Sequence, residues 1–154
     1  MPLTLNLTED FINEALVRFL PESVPDIRLT IEDEYIIATA PISFYGIKIN
    51  PSAAFRLVSF NWSKTEKTFV LELIKTSVLD SKPVLSYIKR FLPEFITIDE
   101  KFVIIDLNKI ESVKKNLENP YIEMFTLKKI GFSKGNINLS FEFESGGHDL
   151  KNIS

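Results

Sequence analysis

The residues that come closest to a catalytic motif lie near the end of the chain. Gly131-Phe132-Ser133-Lys134-Gly135 has the G-x-S-x-G spacing of a nucleophile elbow, and Glu142, Glu144 and His148 follow it in hydrolase order. An elbow needs a strand before the serine and a helix after it, whereas residues 137–143 alternate apolar and polar side chains as a strand does. We therefore predict a hairpin turn at this site and no catalytic serine.

Side chains that bind metal ions or phosphates are scarce. The sequence has one histidine, His148, and no cysteine. Glu32-Asp33-Glu34 is the densest acidic cluster, but calcium needs about six to eight oxygen ligands and a dedicated loop, so we interpret this cluster as a solvated turn. The five glycines do not have the spacing of a phosphate-binding loop. We predict a protein that is not an enzyme and that uses no metal and no cofactor.

Other charged residues each allow two interpretations. Asp106 shares a strand face with Phe102 and Ile104, so it is either a buried acid or a residue at the end of its strand; the second is favoured. The lysine pairs Lys114-Lys115 and Lys128-Lys129 fit either a basic patch for an anionic head group or ordinary solvated positions. Peripheral contact with a membrane therefore stays open as an alternative.

Length and composition limit the class of protein. A chain of 154 residues fits one domain, which buries roughly 68–70% of the surface of its unfolded chain. The net charge of −3 disfavours nucleic acid as a partner, because phosphate binding needs clustered positive charge. The absence of cysteine fits the cytoplasm. We expect a cytoplasmic protein, or a membrane-associated or periplasmic one if an upstream signal or anchor has been removed.

Two amphipathic helices are predicted to position the apolar residues. The first follows Thr8, a suitable N-cap, and spans about residues 9–20 before Pro21. The second spans about residues 82–92, with Pro83 in its first turn. The apolar stripes are Phe11, Ile12, Ala15, Leu16, Phe19 and Leu20 in the first helix, and Val84, Leu85, Ile88, Phe91 and Leu92 in the second. Each stripe requires a sheet to cover it.

Alternation of apolar and polar residues predicts antiparallel strands in both halves. In the first half we expect a hairpin, one short strand and two longer strands, at about 27–32, 35–39, 42–49, 54–62 and 68–75. A short helix is expected between residues 108 and 119. The predicted fold class is α+β.

The second half of the chain repeats the first in letters as well as in pattern. Arg18-Phe19-Leu20-Pro21-Glu22 recurs as Arg90-Phe91-Leu92-Pro93-Glu94, and the segment at 30–37 resembles 97–104. We predict one domain over residues 1–154 that contains two copies of a unit of helix and strands. The expected ranges are about 8–76 and 80–144 for the repeats and 145–154 for a flexible tail. Pairing the two copies would bury both main helices between curved antiparallel strands, as a curved antiparallel sheet wrapped around two main helices.

The abundance of large apolar residues leaves two functions open, because a packed core and an apolar ligand site use the same residue types. The first hypothesis is a binding protein that holds a lipid or another apolar small molecule between the helix stripes and the sheet. Its predicted ligand-binding residues are Ala15, Phe19, Ile37, Phe55, Phe69, Ile88 and Phe91. The alternative is a structural or protein-interaction domain with a filled core, which docks a partner through a sheet edge or an exposed patch around Trp62. The oligomeric state stays open.

A family resemblance supports the first hypothesis. The segment from Leu7-Thr8-Glu9-Asp10 to Leu16 resembles the T-E-x-x-[IL]-N-x-x-L helix start of bacterial LmeA-like members of the tubular lipid-binding superfamily. The segment from Phe125 to Phe143, with a turn at 133–136, is similar to their closing hairpin. The resemblance implies a long twisted antiparallel sheet around helices and an apolar groove for lipid.

Overall fold

The computed structural model describes residues 2–22, 26–77, 89–90 and 92–143. The chain is a mixed α+β protein in which the strands pair antiparallel, and this confirms the predicted fold class. The described strands form a six-stranded sheet, a three-stranded sheet and a separate two-stranded hairpin.

The described elements are eleven strands, three helices and a short 3₁₀ turn. The strands are β1 Pro2–Thr8, β2 Arg28–Ile31, β3 Ile36–Thr39, β4 Ile42–Phe44, β5 Ile47–Ile49, β6 Ser52–Trp62, β7 Lys67–Thr76, β8 Ile96–Asp99, β9 Phe102–Asp106, β10 Phe125–Ser133 and β11 Asn136–Phe143. The helices are α1 Glu9–Phe19, α2 Glu111–Leu117 and α3 Pro120–Glu123, and the 3₁₀ turn is Leu107–Lys109. The second predicted helix, at 82–92, lies outside the described residues except for Lys89, Arg90 and Leu92.

The six-stranded sheet is built around the long hairpin of β6 and β7. Its strand order is β2-β3-β6-β7-β9-β8. β3 pairs with the first four residues of β6, whereas β9 pairs with residues 68–72 of β7, nearer the hairpin turn. The two outer hairpins are therefore staggered along the central one.

The three-stranded sheet has the order β1-β11-β10. Its first strand, β1, was missed in the sequence, although Leu3, Leu5 and Leu7 alternate with polar residues over its length. Because side chains alternate across a strand, these leucines share one face with Phe141 and Leu139 of β11, while Asn6 and Asn138 lie on the other face. The sheet therefore has one apolar and one polar face.

The two sheets meet through aromatic and backbone contacts. The ring of Trp62 on β6 packs edge-on against Phe141, with 5.8 Å between the ring centroids. The turn between β10 and β11 reaches β2, where the amide of Gly135 donates to the carbonyl of Ile31 at 2.9 Å. Gly135 has φ +81°, a backbone conformation that glycine adopts more readily than residues with a Cβ atom. Ile31 and Leu127 are buried where the sheets come together.

Helix α1 begins as its sequence predicts. The Thr8 side-chain oxygen accepts from the amide of Phe11 at 3.2 Å, and Glu9 and Asp10 occupy the first turn. The Glu9 carboxylate also accepts from the amide of Ile31 at 2.8 Å. β2 is an edge strand, so some of its backbone groups have no strand partner. The Glu9 bond to Ile31 and two hydrogen bonds between the Asn13 side chain and Leu29 satisfy these groups.

Residues 42–49 form a hairpin where the sequence predicted a single short strand. Tyr45 and Gly46 both have positive φ, 51° and 78°, as a two-residue type I′ turn requires. A tyrosine is uncommon in that conformation, so the turn has no strong signature in the sequence. β4 pairs only with β5 among the described strands.

The predicted short helix between residues 108 and 119 is confirmed. It is α2, which follows the 3₁₀ turn; the single turn of α3 comes after the predicted range, and its N-cap Asn119 accepts from the amide of Tyr121. No helix among the described residues has the length and hydropathy needed to cross a membrane.

Candidate functional site

The G-x-S-x-G segment forms a hairpin, as predicted. Gly131 and Ser133 lie on β10, Lys134 and Gly135 make the turn, and β11 follows at Asn136. Ser133 is therefore paired in a sheet, not exposed on a strand-to-helix elbow. Glu144 and His148 lie outside the described residues.

The acidic candidates have structural roles. Asp33 accepts from the amide of Lys134 at 3.1 Å and so joins two turns. Asp106 is the last residue of β9, where its carboxylate accepts from the amide of Asn108 at 3.0 Å and caps the 3₁₀ turn. Within the part of the chain that the structure describes, histidine, cysteine and acidic residues form no group suited to a metal ion.

One face of the six-stranded sheet is continuously apolar. The strand register places its side chains in rows that cross the sheet: Leu29-Ala38-Ala53, Ile31-Ile36-Phe55-Leu73, Ile98-Val103-Leu71-Leu57 and Ile96-Ile105-Phe69-Phe60. Helix α1 lies over the β2 end of this face. The rows are the structural basis of the candidate site.

A partly open cavity of about 270 Å³ lies on this apolar face. Among the described residues that line it, the polar side chains are Thr39, Ser52 and Thr76, and none is charged. The apolar lining consists of Leu16, Leu20, Ile27, Leu29, Ile36, Ala38, Ala40, Pro51, Ala53, Phe55, Leu71, Leu73, Leu92, Ile96, Ile98, Val103 and Ile105. Pockets that bind small molecules have this predominantly apolar character.

Small side chains make room for the cavity. Ala38 of β3 and Ala53 of β6 stand directly opposite each other in the register, and both line the cavity. The next row carries Phe55 and Leu73, which are much larger. The cavity therefore has its smallest side chains where the alanines pair, and larger ones line it further along the hairpin.

Of the predicted ligand-binding residues, Phe55 lines the cavity. Ala15 and Phe19 do not, because α1 presents Leu16 and Leu20 to the sheet instead, and Phe19 is 42% exposed. Ile37 lies on the opposite face of β3, beside Ala54 and Ile74 in an outer groove. Ile88 and Phe91 lie outside the described residues.

Phe69 lies on the apolar face but belongs to an aromatic cluster beyond the cavity. Its ring centroid is 6.4 Å from that of Phe60 and 6.3 Å from that of Trp62. The ammonium of Lys67 lies 5.4 Å from the Trp62 ring centroid, and Lys67 also donates to the carbonyl of Ser63. Trp62 is thus half-buried by its neighbours, and the docking patch predicted around it stays a prediction.

The second outer hairpin supplies cavity residues that the sequence reasoning missed. Ile96 and Ile98 of β8 and Val103 and Ile105 of β9 all line the cavity. Their alternation with Thr97, Asp99 and Ile104 was visible, but only the register with β7 places them on the same face as Phe55.

A larger groove with a mixed polar and apolar lining adjoins the apolar cavity, and it is called the polar groove after its charged residues. It has a volume of about 770 Å³, and its lining includes Glu22, Asp26, Arg28 and Asn50. Four residues line both spaces: Leu16, Leu20, Ile27 and Thr39. A polar compartment and an apolar compartment therefore share a wall at the end of α1.

The opposite face of the sheet carries an ion-pair cluster. Glu72 contacts the Arg56 guanidinium at 2.7 Å and the Lys101 ammonium at 2.9 Å. The Lys101 ammonium, followed by the Arg56 guanidinium, lowers the pKa of the Glu72 carboxyl below its ordinary value. The cluster joins the turn of the β8-β9 hairpin to β7 and lies away from the cavity.

Comparison with known proteins gives no match, either to a protein-family model, to a curated protein or to a solved structure.

Proposed function

We propose that the chain is a non-catalytic binding protein that holds the apolar part of a lipid or another hydrophobic ligand in the cavity between α1 and the six-stranded sheet. The observation that carries the proposal is the cavity of about 270 Å³ whose described lining has no charged side chain. Burial of hydrocarbon there would contribute about 25 cal/mol per Å² of apolar surface removed from water.

The adjoining polar groove defines the ligand class more closely. Its charged residues Glu22, Asp26 and Arg28 lie across the shared wall from the apolar cavity. An amphipathic molecule fits this pair of compartments, with hydrocarbon in the cavity and its polar end in the groove. The cavity volume is just below the usual range of roughly 300–1,000 Å³ for small-molecule pockets, which favours a short chain or one arm of a lipid.

The proposal includes the finer features expected from the sequence. These are the tandem duplication of the helix-and-strand unit, the wrapping of sheet around two main helices, and membership of the tubular lipid-binding superfamily. The element order supports the duplication: the hairpins β2-β3 and β6-β7 in the first half correspond to β8-β9 and β10-β11 in the second.

Native mass spectrometry of the purified chain, followed by organic extraction, tests the binding function. We expect a mass adduct of one amphipathic molecule per chain. Ala53→Leu adds bulk to the cavity and is expected to raise the dissociation constant at least about tenfold, which corresponds to about 1.4 kcal/mol. Ala54→Leu is the matched control, because Ala54 lies on the opposite face of the same strand. A bare mass after incubation with mixed lipids would rule the proposal out.

A specific feature also favours the second candidate, an interaction domain. β1 is an edge strand, and Leu3 and Leu5 on it are exposed. An exposed apolar edge is suited to pairing with a strand of another chain. Leu5→Lys would abolish such an association without changing the amount of bound ligand, so the two functions can be measured separately.

A further inference from the structure

The hairpin formed by β4 and β5, residues 42–49, stands apart from both larger sheets. Its strands pair with each other, and they pair with no further strand among those described. At its turn Tyr45 is 89% exposed, and the adjacent Ile47 is 66% exposed. An isolated two-stranded hairpin is only marginally stable in water. The exposed side chains of Tyr45 and Ile47 add little buried surface that would stabilise this one.

Both ends of the hairpin are attached at the rim of the candidate site. Ala40 and Pro51, which flank it, line the apolar cavity and are joined by a backbone hydrogen bond of 3.2 Å. Pro41 and Asn50 line the polar groove. The base of the hairpin is therefore part of the wall of both compartments.

The charge distribution indicates which surface fits the hairpin. Residues 35–65 contain Lys48, Arg56 and Lys64 but no aspartate or glutamate. Arg56 is paired with Glu72 on the six-stranded sheet and Lys64 lies at the far turn of β6-β7, so the charge of the hairpin itself is the single positive charge of Lys48. Lys48 is exposed on β5, beside Ile47. A basic residue next to an exposed tyrosine and isoleucine matches the boundary of an anionic bilayer, where aromatic rings and cations reside together.

We propose that the β4-β5 hairpin is a membrane-contact element that inserts Tyr45 and Ile47 into the interface of an anionic lipid bilayer, with Lys48 at the phosphate level. The role of this contact in loading the cavity rests on the proposed function. The contact itself depends only on the hairpin.

Co-sedimentation with lipid vesicles tests the proposal. The full chain is mixed with phosphatidylcholine vesicles, with or without phosphatidylserine, and we expect stronger binding to the anionic vesicles, weakening as salt is raised. Tyr45→Asn combined with Ile47→Ser is expected to lower the partition coefficient about tenfold. Asn tolerates the positive φ of position 45, so the turn is retained. Lys48→Glu is expected to lower binding to anionic vesicles at least about fivefold, since one basic residue near such a surface contributes about 1 kcal/mol.

A second pair of exposed residues provides the matched control. Tyr121 and Ile122 on α3 are 76% and 41% exposed, and the double variant Tyr121→Asn with Ile122→Ser should bind vesicles like the wild type. Equal binding by the hairpin variant and the wild type would overturn the proposal. The proposal would also be overturned if the chain formed a dimer through the hairpin and did not bind vesicles, because the hairpin would then be a contact between two copies of the chain.

The outcomes also separate this proposal from the binding function. Ala53→Leu should remove the ligand adduct while leaving vesicle binding unchanged. If no ligand adduct is found but the chain still binds vesicles through the hairpin, the binding function is wrong and the membrane contact is retained.

Discussion

The side-chain amide of Asn13 forms both hydrogen bonds that a neighbouring strand would form with Leu29. Its Nδ2 donates to the Leu29 carbonyl at 2.9 Å, and its Oδ1 accepts from the Leu29 amide at 2.7 Å. Nδ2 also donates to the carbonyl of Glu9 within α1. Because β2 is the edge of the sheet, a single buried amide both closes that edge and attaches the helix to it.

Replacing Asn13 with Ala is expected to lower the free energy of unfolding by about 2 kcal/mol, because the Leu29 amide and carbonyl lose their partners. The measurement is the urea midpoint at an unchanged m-value. Asn116→Ala is the control, since Asn116 is an exposed helical residue bonded to the carbonyl of Ser112, and its loss should cost less than about 0.5 kcal/mol. Equal midpoints for Asn13→Ala and the wild type would contradict the anchoring role.

The same hydrogen bonds explain why Leu16 and Leu20, and not Phe19, are the residues of the predicted apolar stripe that line the cavity. An α-helix turns about 100° per residue, so Leu16 and Leu20 lie within roughly 60° of Asn13, whereas Phe19 lies about 120° away. Hydrophobicity alone favours Phe19 because it is large. The polar anchor sets the rotation of the helix, and this part of the site could not be predicted from apolar periodicity.

Gly135 gives a second stability prediction. Its φ of +81° and its two backbone bonds, from the Glu9 amide to its carbonyl and from its amide to Ile31, fix the β10-β11 turn against α1 and β2. Gly135→Ala should therefore destabilise the fold by about 1 kcal/mol.

Gly131 is a matched control within the same motif. It lies in β10 without a positive φ and with open space where a Cβ would lie, so Gly131→Ala should be neutral or slightly stabilising. Thermal unfolding of both variants makes the comparison. A larger loss for Gly131→Ala would contradict the assignment of the turn.

The strands show which local features the sequence does reveal. The hairpins β2-β3 and β6-β7 were predicted to within a few residues, because alternation and polar turns mark them. The sequence does not show which face of a strand is buried when neighbouring residues are alike, as Ile36 and Ile37 are. Only the register with β6 places Ile36 towards the cavity and Ile37 towards the outer groove. Phe55, which lies within one long strand, lines the cavity, and its role in ligand binding stays a prediction.

Glu72 predicts a pH dependence of stability. The carboxyl has a lower pKa in the folded state than its ordinary value, so its contribution is complete above the ordinary pKa and is lost as the pH falls through the lowered one. The difference in urea midpoint between the wild type and Glu72→Gln should be largest near neutral pH and shrink in acid. A difference that stays constant from neutral pH into acid would contradict the contribution of the two ion pairs.

Trp62 provides a direct measure of how firmly the two sheets are joined, because it is the one tryptophan of the chain and its ring touches Phe141 on the opposite sheet. Phe141→Ala should shift the fluorescence of Trp62 to the red by admitting water, and should lower the free energy of unfolding by about 2–3 kcal/mol, less than a fully buried phenylalanine loses.

Phe143→Ala tests whether these effects are specific to the contact between sheets. Phe143 lies two residues along the same strand and packs against Phe125 within its own sheet, so its removal leaves the surroundings of Trp62 intact. The fluorescence maximum should then stay at the wild-type position even if stability falls. Equal red shifts in both variants would mean that the three-stranded sheet loosens as a unit, and that Phe141 does not by itself hold it against β6.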